Sequence, residues 1–194
     1  ITLHKKNMIS ICTPSRGRPE KCAAMIDSMK STVDKAPLDF HIYLNKNDPT
    51  LPEYEKLINK KYLHIGREYF ANHGWNLMAK KAEGSILFMQ GDAELMMTKG
   101  WDNIVFEKTL QLHKRIGVLV PDDGRNQGGA PHFMVTRQWY ELMGYMSHPI
   151  FLHWYVDTYA VELAQAAGCL IRIPEIVNKA KKIRNDDTAH IEMI

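Results

Sequence analysis

Apolar residues fall along this chain in short β-branched runs, and between the runs they recur every three or four positions. Residues 8–13 form the first run, closed by Pro14, and read as a buried strand. Pro19 suits a first helical turn, and Cys22, Met25, Ile26, Met29 and Val33 then share one helical face. Residues 40–44 repeat the strand signal, Tyr54, Leu57 and Ile58 suit a short helix, and residues 62–65 give a weak third strand. Asn72 stands where a cap would open a helix through Trp75, Leu77, Met78 and Ala82, with Gly84 placed to end it. The strand 86–89, a helix over 101–113 and the strand 116–120 continue the alternation, which predicts an α/β fold with a mainly parallel sheet.

After residue 120 the pattern becomes mixed. A polar loop over 122–131 leads to a strand at 133–135 and a short helix at 140–143. A helix over 157–167, stopped by Gly168, precedes a strand at 170–173 and a polar tail. With 194 residues, 45% hydrophobic and 24% charged, the expectation is one folded domain, with halves at about 1–120 and 121–194. No apolar run reaches the length of a membrane span, and the opening ITLHKKNMIS lacks a signal-peptide pattern, so a cytoplasmic protein is expected. Cys12, Cys22 and Cys169 form no CxxC pair and read as buried free thiols. A net charge of +3 does not indicate nucleic acid, and the cluster Lys179, Lys181, Lys182 and Arg184 suits a solvated surface or phosphates.

In an open parallel sheet, ligands collect beyond the carboxyl ends of the strands. Ser15, Arg16 and Arg18 follow the first strand, Asp48 the second, and Asp92 and Glu94 the fourth. Guanidinium and carboxylate groups on one rim suit a ligand carrying phosphate and metal, such as a nucleoside diphosphate. Alternate residues leaving a strand project the same way, so Asp92 and Glu94 can share one hard cation, Mn²⁺ or Mg²⁺. The competing reading makes them solvated loop acids capping the next helix. Trp139, Tyr140, Trp154 and Tyr155 are candidates for stacking on a sugar or base, though such aromatics are usually core. His132, His148 and His153 lack zinc-ligand spacing and read as surface or packed residues.

The stretch NLMAKKAEGSILFMQGDAELMMTKGWD (76–102) resembles the central signature of family 2 glycosyltransferases: a helix ending in Ala-x-Gly, an apolar strand, an acidic motif, then Gly-Trp and an acid. ISICTPSRGRP (9–19) is similar to that family's first strand and nucleotide loop, FMVTRQWYELMGY (133–145) to its later strand, and DTYAVELAQAAG (157–168) to its catalytic helix. The resemblance implies a GT-A (Rossmann-like) single domain, with a nucleotide-sugar half followed by a mixed acceptor-side half. It further implies a glycosyltransferase of hexosyltransferase type that moves a sugar from a nucleotide-diphosphate sugar, a UDP-sugar first, to an acceptor hydroxyl. By the same resemblance Pro14, Ser15, Arg16, Arg18, Asp48, Gly91 and Asp92 bind the nucleotide-sugar. Asp92, Glu94 and His190 ligate the metal, and Asp157 is the base of an inverting displacement, or else a helix N-cap. The chain departs from the pattern in having Gln90-Gly91 before Asp92, Glu94 in the last acidic place, and Val156 where an acid usually precedes Asp157.

A nucleotidyltransferase is the nearest alternative enzyme, but its loop needs more glycine than Gly17 supplies. A non-catalytic nucleotide- or sugar-binding module is the other alternative. The acceptor stays open among a glycan, a lipid-linked sugar, a protein and modified DNA.

Overall fold

Ile9 and Ile11 occupy one face of the first strand while Ser10 and Cys12 occupy the other, and all four are buried. Both faces of the strand are therefore covered, which is why its sequence reads as a nearly continuous apolar run. The computed structural model describes residues 5–124 and 130–180. Its elements are β1 (Lys5–Ser15), α1 (Pro19–Thr32), β2 (Leu38–Asn45), α2 (Leu51–Leu57), β3 (Leu63–Gly66), α3 (Ala71–Lys81), β4 (Gly84–Met89) and β5 (Glu94–Met96). They continue with α4 (Trp101–Thr109), β6 (Val118–Asp122), β7 (Phe133–Thr136), α5 (Arg137–Met143), α6 (Val156–Ala166) and β8 (Leu170–Ala180).

The strands form one sheet in the order β3-β2-β1-β4-β7-β6-β8-β5. β1 pairs in parallel with β2 and β4, as do β2 with β3 and β6 with β8. β7 runs antiparallel between β4 and β6, and β5 antiparallel on β8, so the later half is mixed, as the sequence pattern predicts. One core, with Ile9, Ile11, Met25, Ile42, Phe88 and Trp101, lies under α1, α2 and α4. The other, with Cys12, Trp75, Met78, Leu87, Val135 and Trp139, lies under α3, α5 and α6. The result is a three-layer α/β/α sandwich. No helix among the described residues is long and apolar enough to cross a membrane.

Four local expectations are corrected. Phe70, not Asn72, is the N-cap of α3; Asn72 lies one position inside the helix, buried, and its amide donates to the carbonyls of His148, at 2.8 Å, and Phe151. Gly84 opens β4 instead of ending α3, which is capped at Ala82, and a Cβ at Gly84 would lie 2.7 Å from the Ser10 backbone nitrogen on the neighbouring strand. The helix from Trp101 stops at Thr109, and a separate 3-10 turn covers His113–Arg115. The strand from Leu170 continues to Ala180, where the sequence reads as a polar tail.

Candidate active site

Two loops, which leave β1 and β4 side by side at their carboxyl ends, bring Ser15, Arg18 and Asp92 together. Ser15 Oγ donates to Asp92 Oδ2 at 2.6 Å, and Arg18 Nε donates to the same oxygen at 3.0 Å. Tyr54, on α2, has its hydroxyl 2.6 Å from Ser15 Oγ and accepts the Arg18 backbone N–H at 3.0 Å. An ionised carboxylate only accepts, so the single Ser15 proton goes to Asp92 and the Tyr54 hydroxyl donates to Ser15. Pro19 at the start of α1 fixes the chain direction just past Arg18 and costs no hydrogen bond there.

Asp48, buried after β2, closes the other side of this loop. Its Oδ2 accepts the Gly17 N–H at 2.9 Å, and its Oδ1 accepts the Thr50 N–H and hydroxyl at 2.8 and 2.7 Å. Gly17 takes the left-handed conformation, φ 67°, that lets its N–H turn toward Asp48. Arg16 points away from Asp92, with its guanidinium on Glu68 at 2.9 Å and on Asn47 at 3.3 Å. Pro14 packs against α3, where a Cβ on Gly74 would come within 2.9 Å of it.

Asp92 is 3% exposed and Glu94 8%, and the next helix has Gly100 as its N-cap, so the reading of both acids as solvated helix caps is overturned. Burial is the largest influence on Asp92 and pushes its carboxyl above the ordinary aspartate value. Arg18 and the Ser15 hydrogen bond oppose that push without cancelling it, and the nearby charge of Glu94 adds to it. Glu94 Oε2 lies 3.6 Å from His132 Nε2, and both crowd Gly91, where a Cβ would sit 2.1 Å from that oxygen and 2.5 Å from that nitrogen. Gly91 thus makes the room in which this pair stands beside Asp92. Gln90 and Asn178 exchange side-chain hydrogen bonds of 3.1 and 2.8 Å across the sheet, and Gln90 also donates to the Glu94 carbonyl at 3.2 Å.

The sequence reading misses Tyr54, His132 and Asn178 as site residues. Tyr54 reads as a helix-face aromatic, and nothing in the local pattern ties residues 132 or 178 to residues 90–94. Asp157 sits in the first turn of α6, partly buried, and the N-cap of that helix is Tyr155, so the N-cap reading of Asp157 is corrected. No hydrogen bond or ion pair among the described residues joins Asp157 to Asp92. α6 does pack through Tyr159 on His148, whose carbonyl is held by Asn72 at the start of α3. His190 lies outside the described residues.

Among the described residues no three His, Cys, Asp or Glu side chains form a set able to hold a metal ion by themselves. The donors beside one another are the carboxylates of Asp92 and Glu94. One or two carboxylates are what Mg²⁺ or Mn²⁺ takes when phosphate oxygens complete its shell, so this donor set fits such an ion. A cation would also offset the burial that raises the Asp92 carboxyl.

No protein-family profile matches the sequence. No curated protein matches it either. Solved structures do. Mannosyltransferase PcManGT from Pyrobaculum calidifontis, in complex with GDP-Man and Mn²⁺, superposes with a TM-score of 0.69 at 12% identity, over 96% of this chain and 60% of that one. S. aureus TarS 1-349 in complex with UDP-GlcNAc superposes with a TM-score of 0.64 at 13% identity, over 94% of this chain and 60% of that one. The fold is GT-A-like. This GT-A-like chain spans 60% of the length of each of these two neighbours. Its β1, β2 and β4 carry their loops on the edge where ligands bind in open α/β sheets.

Proposed function

We propose that the chain is a glycosyltransferase that moves a sugar, a hexose first, from a nucleotide-diphosphate sugar to an acceptor hydroxyl, with inversion and with Mn²⁺ or Mg²⁺. One observation carries this reading: a buried carboxylate, Asp92, stands at the carboxyl end of β4 in a GT-A-like fold, gripped by Ser15 and Arg18 from the β1 loop. That neighbours of the same fold hold UDP-GlcNAc, or GDP-Man with Mn²⁺, supports the choice of donor and ion.

In this reading Pro14, Ser15, Arg16, Arg18 and Asp48 form the nucleotide cradle. Asp48 keeps the loop closed through Gly17 and Thr50, and Arg16 and Arg18 offer charge to the diphosphate. Asp92 and Glu94 would hold the ion, with Gly91 leaving space and His132 steadying Glu94. The bound ion would supply charge neutralisation for the departing nucleoside diphosphate. Asp157 takes the proton from the acceptor hydroxyl as that oxygen attacks the anomeric carbon from the face opposite the leaving group. The residues 1–120 serve the donor and the remainder the acceptor.

The test is release of nucleoside diphosphate from a panel of UDP- and GDP-sugars in Mn²⁺. Slow hydrolysis of one donor, abolished by EDTA, is the expected result. Pyrophosphate release would instead indicate a nucleotidyltransferase, and tight binding without turnover a binding module.

A further inference from the structure

The segment leading into α6 is rich in apolar side chains and exposed. Ile150 is 72% exposed, Leu152 48%, Trp154 48% and Tyr155 69%, and they stand within eight positions of one another next to Asp157. The backbone beneath them is hydrogen-bonded to α3. Asn72 on α3 donates its amide to the carbonyls of His148 and Phe151, and its N–H to the Leu152 carbonyl at 3.2 Å. His148 is wedged edge-on between Tyr145 and Tyr159, with ring centroids 5.0 and 4.9 Å away. Trp154 meets His153 at 88° and 5.1 Å, which sets its indole plane although half of the residue faces solvent.

Tyr155 has φ 67°, a left-handed conformation that a bulky aromatic residue rarely adopts. Such backbone persists where the surroundings enforce it, and it gathers at ligand sites. Here it turns the Tyr155 ring outward at the N-cap of the helix whose first turn holds Asp157.

Charge narrows what can lie on this surface. No Lys or Arg occurs between Arg137 and Arg172, whereas Glu141, Asp157 and Glu162 fall within that stretch. Nucleic acid is held by Lys and Arg on its phosphates, and amphipathic membrane surfaces pair apolar residues with cations facing the anionic headgroups. Lys80 of α3 shares a cavity with Tyr145 and Pro149 at one end of the stretch, but one such cation beside three acids is a poor match for a polyanion, and both are disfavoured. A neutral pyranose has an apolar C–H face that stacks on Trp or Tyr, and its hydroxyls then radiate around the rim of the stack. Asp157 stands two residues along the chain from Tyr155, in the first turn of α6.

We propose that Trp154 and Tyr155 form the acceptor platform and that the acceptor is a neutral saccharide. The proposal rests on the glycosyl-transfer reading and narrows it, setting aside nucleic acid and anionic membrane surfaces.

The test uses saturation-transfer NMR on the full chain with cellohexaose, maltohexaose and chitohexaose. A dT₁₂ oligonucleotide and phosphatidylglycerol vesicles serve as competing probes, and UDP and GDP affinities in Mn²⁺ are measured on the same preparations. At least one hexasaccharide should bind. Trp154→Ala and Tyr155→Ala should each weaken it about tenfold, a loss of stacking on the scale of 1.4 kcal/mol. Tyr155→Phe, which keeps the ring, should bind within about twofold of the parent, and UDP affinity should be the same in all four proteins. Saccharide binding indifferent to both alanine variants overturns the proposal. So does binding of dT₁₂ or vesicles in place of saccharide, the absence of binding by every probe, or a dimer that Trp154→Ala dissociates in sedimentation. Failure of the parent chain to bind either UDP or GDP would overturn the glycosyl-transfer reading itself, whatever the saccharides do.

Discussion

Asp92→Asn separates two roles that the same carboxylate could play, holding the fold and holding a ligand. Breaking a fully buried ion pair by removing one partner costs about 3–5 kcal/mol, and an exposed pair is worth at most about 1 kcal/mol. The Arg18 side chain is 26% exposed, so water can take up its charge when Asp92 becomes neutral, and the lower part of that range applies. An opposite effect accompanies it. The Asp92 carboxyl titrates above its ordinary value, so the folded chain holds that proton more tightly than the unfolded chain does. Stability is therefore lost as pH rises through that window, and at neutral pH the ionised group opposes folding. Asparagine removes this penalty and keeps an oxygen to accept from Ser15 or Arg18. The two effects oppose one another, so the net loss should stay below the lower end of that range, about 3 kcal/mol, or less than about 6 °C in Tm at about 2 °C per kcal/mol for a chain of this size. Ligand affinity has no such compensation. Losing even an outer-sphere partner of a metal site costs about 10–100-fold in metal affinity, so Mn²⁺-dependent UDP affinity should fall at least about tenfold. Scanning fluorimetry and calorimetry on one preparation read both. A Tm drop beyond about 6 °C with unchanged Mn²⁺-dependent affinity would refute the reasoning and make the Arg18–Asp92 pair structural.

Gly91→Ala places a methyl group 2.1 Å from Glu94 Oε2 and 2.5 Å from His132 Nε2, so this pair must move. Mn²⁺-dependent UDP affinity should drop about tenfold while metal-free UDP affinity holds, and equal affinities in Mn²⁺ would remove Glu94 from the ion site. Asp157→Asn should lower turnover about 10²-fold with little change in Tm, because α6 takes no side-chain cap bond; near-normal initial rates would exclude Asp157 as the base. Burial acts to raise the Asp102 carboxyl, but the N–H groups of Asp34, Lys35 and Ala36 bond to it at 2.9 Å and hold it below the ordinary value. Asp102→Ala should therefore lower stability by about 2–4 kcal/mol in urea titrations, and a change under 0.5 kcal/mol, roughly the size of a neutral surface substitution, would contradict that clamp. His64 is depressed to about 4, by burial first and the charge of His41 second, so the unfolded chain takes up this proton before the folded one. Stability should be complete above about pH 6.5 and decline as pH falls toward 4, and His64→Gln should flatten that slope in urea midpoints measured from pH 7 to 4.5.

What was legible in the sequence was what local pattern controls. β1, the polar loop and α1 follow from one apolar run, Arg-Gly-Arg and Pro19. β4 with Asp92 and Glu94 behind it follows from the next such run. β5 was illegible because a three-residue strand opening on Glu94 has no periodicity of its own and exists through pairing with β8, with Glu94 opposite Ala180. The extension of β8 was readable in principle, since Ile176 and Asn178 are buried while Glu175 and Lys179 alternate with them outward, yet its polar content masks the period. Asn72 shows local propensity losing to tertiary demand: a good capping residue was drawn inside the helix to satisfy carbonyls more than seventy positions away. Gln90 with Asn178 and Glu94 with His132 are likewise contacts between distant segments, invisible to any reading that moves along the chain a turn at a time. Among the aromatics, Trp139 went to the core, whereas Trp154 and Tyr155 stayed at the surface.

The central claim is that Asp92 and its neighbours hold a metal and a nucleoside diphosphate together. Isothermal titration of the unmodified chain with UDP, first in EDTA and then in Mn²⁺, measures it directly. The expected result is binding that tightens about tenfold or more in Mn²⁺, with UMP, which lacks the second phosphate, gaining little. Affinity for UDP, and for GDP titrated the same way, that is unchanged by Mn²⁺, or no binding of either, would contradict it.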